Sequence, residues 1–174
     1  MDLSRLYDDM TVQAGPPPVD TWHPPFCGDI DMVIRHDGTW HYNGTPIARH
    51  AMVQLFSRIL RRDADAFFLV TPVEKVGIRV EDTPFIAVEM TETAPLTFRT
   101  NVGDIVVVGP DNALRFDTGA DGFRPYVHVR GGLEARLSRD LARDLADLAH
   151  VEDGWFGVRA GGVFFPISPA ETAV

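Results

Sequence analysis

One succession of elements occurs twice along the chain, and this repeat limits the folds that the sequence can adopt. Alternating apolar residues flank the Asp37-Gly38 turn, a helical pattern follows, and short apolar runs close the first half; the same order returns around Gly131-Gly132. Alternation indicates strands, and apolar residues three and four apart indicate a helix. The sequence therefore predicts an α+β protein of two lobes built on a repeated ββαββ motif, each a small antiparallel sheet or half-barrel packed on one helix, matching strand for strand.

The hairpin turns predict the register of the strands beside them. A three-residue loop with Gly38 in the left-handed conformation pairs Ile34 with Trp40 and Met32 with Tyr42, which gives one apolar and one polar face. A two-residue loop would leave both faces mixed. The same choice sorts apolar residues onto one face of the second hairpin: Val127, Val129, Leu133, Ala135 and Leu137. We therefore predict a three-residue loop in both hairpins.

Each predicted helix has a recognisable start. Thr45 is the predicted N-cap of the first helix, with Pro46 at the first helical position, and Ser138 is the predicted N-cap of the second. The chain then has three parts: an N-terminal segment, residues 1–28, with a short helix after Ser4; an N-terminal lobe, residues 29–84; and a β-rich C-terminal lobe with one helix, residues 85–174. Four further strand-like runs between residues 85 and 117 are predicted to complete the second lobe's sheet or barrel.

Composition excludes several classes of protein. The net charge of −9 over 174 residues disfavours nucleic-acid polymers and anionic membranes. No apolar run approaches the roughly 20 residues that a membrane span needs, and residues 1–9 mix charges where a secretory signal would be basic and then apolar. Cys27 is the single cysteine, which excludes an intrachain disulfide. We expect a cytoplasmic protein with no membrane contact.

The sequence lacks the common motifs for phosphate binding and for nucleophilic catalysis. The sequence has no Walker A loop, no GxGxxG and no GxSxG. Asp29 and Asp31 put two carboxylates on one face of a strand, where a divalent cation is one interpretation and an ordinary solvated face is the other.

Arginine provides nearly all of the positive charge. The sequence has fifteen arginines and one lysine, Lys75, and a guanidinium binds phosphate or carboxylate through paired hydrogen bonds that an ammonium cannot form. Arg49, Arg79, Arg130 and Arg139 lie near turns or helix starts, where backbone N–H groups also point outward. The alternative is surface ion pairs with the abundant Asp and Glu.

Longer stretches of the chain resemble one known family. They are Trp22, Cys27–Met32, Asp37–Gly44, Leu69–Val76, Glu81–Phe85, Thr100-Asn101 and Val129-Arg130, and together they resemble the bacterial domain-of-unknown-function family DUF1285 over most of the chain from Trp22 to Ile167. The resemblance implies a cytosolic protein of two repeated lobes, the second loosely like a pleckstrin-homology domain. It also implies a pocket for a nucleotide-derived ligand where the lobes meet, and a signalling role. The family has no established reaction, so it supplies no catalytic residue.

Three functions stay open, and the first is our working hypothesis: a non-catalytic sensor that binds a small anionic, nucleotide-like ligand between the lobes. Trp22 would stack on the ligand, arginines would contact the anion, and carboxylates and Asn101 would hold them in place. The candidate residues are Trp22, Asp29, Asp31, Arg49, Glu74, Lys75, Arg79, Asn101, Arg130 and Arg139. The second hypothesis is a metal-assisted enzyme using Asp29 and Asp31. The third is a scaffold that binds a protein partner through a sheet edge or an apolar patch near Trp155-Phe156 and Phe164-Phe165. No cofactor is predicted.

Overall fold

The computed structural model describes residues 16–172, so the short helix predicted after Ser4 lies outside the described residues. The chain divides into two compact units, with the boundary between Pro84 and Phe85. Within residues 16–172, each unit contains one six-stranded sheet and one α-helix. The predicted α+β class with two lobes is therefore confirmed. None of the helices in this part of the chain is long and apolar enough to cross a membrane.

The N-terminal unit is a mixed sheet with one helix on it. Its elements are a 3-10 turn (Val19–Thr21), β1 (Phe26–Ile34), β2 (Trp40–Tyr42), β3 (Thr45–Pro46), α1 (His50–Arg58), β4 (Leu60–Asp63), β5 (Ala66–Val70) and β6 (Lys75–Val80). The strand order is β3-β2-β1-β6-β5-β4. Strands β1 and β6 run parallel and the other neighbours antiparallel. The rings of Trp40 and Phe56 are fully buried and stack at 6.4 Å, which joins α1 to the sheet.

The C-terminal unit contains two sheets. Its elements are β7 (Phe85–Thr91), β8 (Thr97–Thr100), β9 (Ile105–Val107), β10 (Leu114–Asp117), β11 (Arg124–Arg130), β12 (Leu133–Leu137), α2 (Arg139–Asp147), β13 (His150–Glu152), β14 (Trp155–Ala160), β15 (Val163–Pro169) and a 3-10 turn (Ala170–Thr172). The larger sheet has the order β10-β11-β12-β7-β8-β9, with β12 and β7 parallel. Strands β13, β14 and β15 form a separate antiparallel sheet.

The two hairpin turns differ from each other. In the first, Ile34 lies opposite Trp40 and Met32 opposite Tyr42, as predicted. In the second, Val127 lies opposite Ala135, which is the predicted register, but Arg130 lies opposite Leu133, so the predicted three-residue length of the loop is wrong. Gly131 and Gly132 both have positive φ, which allows a tight two-residue turn, and a bulge at Val129 restores the register.

The predicted start of the first helix is also wrong. Thr45 and Pro46 pair with Tyr42 and His41 as β3, and α1 begins at His50 with Arg49 at the N-cap. The chain folds back first because Asn43 and Gly44 both have positive φ and close a tight turn. The second helix begins as predicted, since the Ser138 hydroxyl accepts a hydrogen bond from the Leu141 N–H.

The repeat holds for the order of elements and fails for the pairing of strands. Both units contain a hairpin, a helix and then a run of antiparallel strands. In the N-terminal unit that run joins the hairpin's sheet, because β6 pairs with β1. In the C-terminal unit the strands after the helix form their own sheet, and β7 pairs with the hairpin instead. The predicted strand-for-strand match is therefore wrong.

Candidate functional site

The structure brings two of the predicted residues together in the N-terminal unit. Asp29 and Lys75 both line a cavity of about 270 Å³ between β1, β5 and β6. The other lining residues are apolar or glycine: Phe26, Ala66, Phe67, Phe68, Gly77 and Ile78. Asp29 is exposed and Lys75 is half-buried.

Lys75 is one of two cations held by the same carboxylate. Its Nζ donates to Asp63 Oδ2 at 2.6 Å and lies 4.0 Å from the centre of the Phe68 ring. Arg61 Nε lies 2.9 Å from Asp63 Oδ1, and Arg61 Nη1 also donates to the backbone oxygens of Val19 and Trp22. The hydrogen bond from Arg61, and then that from Lys75, hold the pKa of Asp63 below its ordinary value. Lys75 is therefore a structural cation as well as a lining residue.

The remaining predicted residues of the N-terminal unit have other surroundings. Arg79 forms an exposed ion pair with Asp31 at 3.4 Å. Trp22 is half-buried, and its carbonyl is the one that Arg61 binds. Arg49 is the N-cap residue of α1. Glu74 lies in the turn before β6, where its N–H donates to the Thr71 hydroxyl.

Two predicted residues of the C-terminal unit connect separate segments of its larger sheet. Asn101 Oδ1 accepts from the Ile86 N–H at 3.0 Å, and the Asn101 N–H donates to the Ile86 oxygen at 2.8 Å. Arg130 donates to Asp104 at 2.8 Å, with its guanidinium 5.2 Å from the centre of the Phe85 ring. These contacts give both residues structural roles within this unit.

Arg139, by contrast, lies at a cavity where arginines converge. This cavity, which we call the arginine cavity, has a volume of about 430 Å³. Its lining residues are Asp121, Phe123, Arg124, Pro125, Arg136, Leu137, Ser138, Arg139, Ala142, Arg143 and Ala146. Four of them are arginines and one is a carboxylate. The cavity is therefore basic in a chain whose net charge is −9.

Three elements place these arginines. Arg124 begins β11, Arg136 is next to the end of β12, and Arg139 and Arg143 lie one turn apart on α2. Arg124 is compensated, because it pairs with Asp117 at 2.9 Å and with Asp121 at 3.6 Å. Arg139 and Arg143 are exposed and have no ion-pair partner among residues 16–172. The positive charge without an acidic partner is thus that of Arg139 and Arg143, on α2.

Sequence reasoning found Arg139 and missed Arg124, Arg136 and Arg143. One signal for Arg143 was in the sequence. Two arginines four residues apart repel each other on a helix, and a cation in the first helical turn opposes the helix dipole. Such a doubly unfavourable placement indicates a role other than stabilising the helix. Arg124 and Arg136 carry no comparable signal, because only the fold brings β11 and β12 to α2.

In the described part of the chain, Asp29 and Asp31 are not part of a group of side chains that could bind a metal ion. Within residues 16–172, no three His, Cys, Asp or Glu side chains form a group that could hold a metal ion. Asp31 is instead engaged by Arg79. The hypothesis of a metal-assisted enzyme therefore gains no support from these two carboxylates.

Comparisons with known proteins agree on one family. Residues 17–83 match the family model described as the N-terminal domain of DUF1285, a domain of unknown function, and residues 84–167 match the model of the DUF1285 C-terminal domain. No curated protein matches the chain.

Two crystal structures are similar to it. A DUF1285 family protein from Silicibacter pomeroyi DSS-3 is 51% identical, with a TM-score of 0.86 and 97% of each chain covered. A DUF1285 family protein from Shewanella baltica OS155 is 29% identical, with a TM-score of 0.57 over 67% of this chain and 90% of the other. With both family models and a 51% identical structure in agreement, the chain belongs to the DUF1285 family.

Proposed function

We propose that this is a cytosolic, non-catalytic sensor whose C-terminal unit binds a small, phosphate-bearing anion of nucleotide type in the arginine cavity. The observation that carries the proposal is the convergence of four guanidinium groups on one cavity that has a single carboxylate, Asp121. Guanidinium groups bind phosphate oxygens through paired hydrogen bonds. The proposed site lies wholly within the C-terminal unit.

The charge distribution supports binding of a compact anion. Arg139 and Arg143 are exposed and uncompensated, so neither of these two has to leave an ion pair when a ligand arrives. The cavity lies at the start of α2, where backbone N–H groups and the helix dipole favour negative charge. Its volume of about 430 Å³ falls within the range of about 300 to 1,000 Å³ that is typical of small-molecule sites.

The lining residues support binding without catalysis. Nucleophilic catalysis needs a nucleophile with a base beside it. Among the described residues, the one hydroxyl group at the cavity belongs to Ser138, which caps α2, and no His, Cys or Lys lines the cavity. Reversible binding of an anion without turnover is what a sensor requires, and this is the basis for the signalling role that we propose.

Calorimetric titration with pyrophosphate and a nucleoside diphosphate tests the proposal. We expect binding that weakens with added salt, as contacts to exposed arginines do, and that raises the melting temperature by linkage. The double variant Arg139→Gln/Arg143→Gln should bind at least about tenfold more weakly, which is about 1.4 kcal/mol. Arg99→Gln is the matched control, since Arg99 pairs with Glu89 and lies outside the cavity.

Two results would contradict this function. One is the absence of binding by either anion at millimolar concentration. The other is unchanged affinity in the double variant, which would place the anion elsewhere on the chain.

A protein partner is the second candidate, and an edge strand favours it. Strand β9 is the last strand of its sheet, and the side chain of Ile105 is 63% exposed and that of Val107 48% exposed. Asp104 and Val108 flank β9: the Asp104 oxygen accepts from the Thr100 N–H of β8, and the Val108 N–H donates to Leu96, just before β8. By antiparallel alternation, the main-chain groups of Ile105 and Val107 therefore point to the open edge. The patch considered from the sequence is less open, since Trp155 is exposed but Phe165 is buried.

The simplest partner for this edge is β9 of a second copy. Sedimentation of the full chain over a range of concentrations should then show a dimer, and Val107→Lys should abolish it by placing a charge on the edge. A monomer at every concentration would remove the second copy as the partner.

A further inference from the structure

We propose a second ligand site, in the N-terminal unit: the cavity between β1, β5 and β6 binds a small zwitterion of amino-acid size. The ligand's ammonium group contacts Asp29, its carboxylate contacts Lys75, and its apolar part lies against Phe26 and Phe68. The site is independent of the arginine cavity, because it lies in the other unit and is lined by one ammonium and one carboxylate group instead of four guanidinium groups.

A bulge in β1 creates the site. Phe26 lies opposite Lys75 and Asp29 lies opposite Gly77, so three steps along β1 match two along β6. Side chains three residues apart in a regular strand point to opposite faces. The extra residue, with Gly28 at a φ of 96°, cancels that alternation and brings Phe26 and Asp29 to the same cavity. Bulges that re-aim a side chain are frequent beside functional sites.

Gly77 gives the Asp29 carboxylate its position. A Cβ atom at position 77 would overlap Asp29 Oδ1, so the carboxylate lies directly against the backbone of β6. No larger residue at position 77 leaves room for this arrangement. The Asp29 carboxylate has no hydrogen-bond or ion-pair partner within residues 16–172, which leaves its oxygens available to a ligand.

The charges around the cavity form a dipole. Lys75, which lines the cavity, and Arg61 share the single carboxylate of Asp63, so this group of three has a net charge of +1. Lys75 has three donors and Asp63 takes one of them. The unpaired carboxylate of Asp29, which lines the same cavity as Lys75, has a charge of −1. A ligand that has both an ammonium and a carboxylate complements both charges, whereas a simple cation or anion complements only one.

Aromatic rings supply the apolar surface of the cavity. The rings of Phe26 and Phe68 meet edge to face with centroids 6.0 Å apart, and the Phe26 side chain is 57% exposed. An exposed phenylalanine at the rim of a cavity gains apolar contact when a ligand covers it. The cavity of about 270 Å³ suits a molecule of amino-acid size.

Titration of the full chain with three matched probes, followed by NMR, tests the proposal. Leucine has both charges, leucinamide has only the ammonium, and N-acetylleucine has only the carboxylate. We expect leucine to bind at least about tenfold more tightly than either of the other two. Equal affinity for all three, or no binding of leucine at tens of millimolar, would overturn the proposal.

Variants locate the site. Asp29→Asn should weaken leucine binding at least about tenfold, and Phe26→Ala by about threefold, without loss of fold, because both side chains are exposed. Asp31→Asn is the matched control: its carboxylate is on the same strand and is paired with Arg79. Full affinity in Asp29→Asn would refute the assignment, and a circular dichroism spectrum shows whether each variant is folded.

Discussion

The cavities of the two units use arginine and lysine in different ways. In the N-terminal unit, Arg61 and Lys75 are half-buried and fastened to Asp63 at short distances. At the arginine cavity of the C-terminal unit, Arg139 and Arg143 are exposed and have no acidic partner in the described part of the chain. Paired cations hold strands together, while unpaired cations at a cavity repel one another until an anion arrives. The two cavities therefore differ in charge compensation: Lys75 is paired with Asp63 and keeps two donors for a ligand, whereas Arg139 and Arg143 offer whole, unpaired cations.

The largest expected effect concerns the paired cations of the N-terminal unit, Arg61 and Lys75. Asp63→Asn leaves Arg61 and Lys75 without their carboxylate, and because both are half-buried, we expect a loss of about 2 kcal/mol in the free energy of unfolding. Urea denaturation measures it. The control Asp31→Asn breaks an exposed pair and should cost less than about 0.5 kcal/mol. Equal losses in both variants would show that burial does not distinguish these pairs.

Lowering the pH should remove the stability that the ionised Asp63 carboxylate contributes. The pKa of Asp63 is lowered in the folded chain, first by the hydrogen bond from Arg61, so the ionised carboxylate favours folding. This stability is complete above the ordinary value of 3.8 and is lost as the pH falls below it through the lower folded pKa. The difference in unfolding free energy between the wild type and Asp63→Asn should therefore shrink below about pH 4. A difference that stayed constant down to pH 2 would contradict this linkage.

A smaller effect is expected at the arginine cavity. Asp121 is its one carboxylate, is 78% exposed and lies 3.6 Å from Arg124. Asp121→Asn should raise pyrophosphate affinity about threefold by removing a repulsive charge, with little change in stability, because exposed pairs contribute little. Unchanged affinity in calorimetry would mean that the anion binds far from Asp121.

The smallest expected effect comes from a substitution that should raise stability and weaken ligand binding. Arg139→Gln removes a cation from the first turn of α2 and relieves its repulsion with Arg143. The chain should become more stable by about 0.5 kcal/mol while it binds pyrophosphate more weakly. Asp140→Asn, in the same turn, should instead destabilise by a similar amount. Destabilisation by Arg139→Gln would show that Arg139 supports the fold.

Local signals in the sequence predicted local structure well. The Asp37-Gly38 turn and its flanking alternation predicted the register of the first hairpin, and Ser138 predicted the start of α2. Thr45 failed as a cap because the preceding turn through Asn43 and Gly44 returns the chain to the sheet. A cap preference of about 1 kcal/mol is outweighed by the strand pairing that this turn enforces.

The sequence identified only some of the residues that line the two cavities. Asp29 and Lys75 were singled out and do share a cavity, while Arg124, Arg136 and Arg143 were missed around Arg139. Asn101 and Arg130 have the polar groups expected of ligand contacts, and the fold uses them to connect separate segments of a sheet. Side-chain chemistry alone does not reveal whether a partner from a distant strand already occupies a polar group.

The amino-acid sequence by itself determined the α+β class, the two lobes, the order of hairpin, helix and strands in each, and the family. These follow from periodicity, turn residues and motifs, all of which act over a few residues. Tertiary structure alone decided that β6 joins β1 in one unit while β7 joins β12 in the other, and which arginines have acidic partners. Strand pairing and charge compensation depend on residues far apart in the chain, whose meeting is set by the competition between alternative pairings.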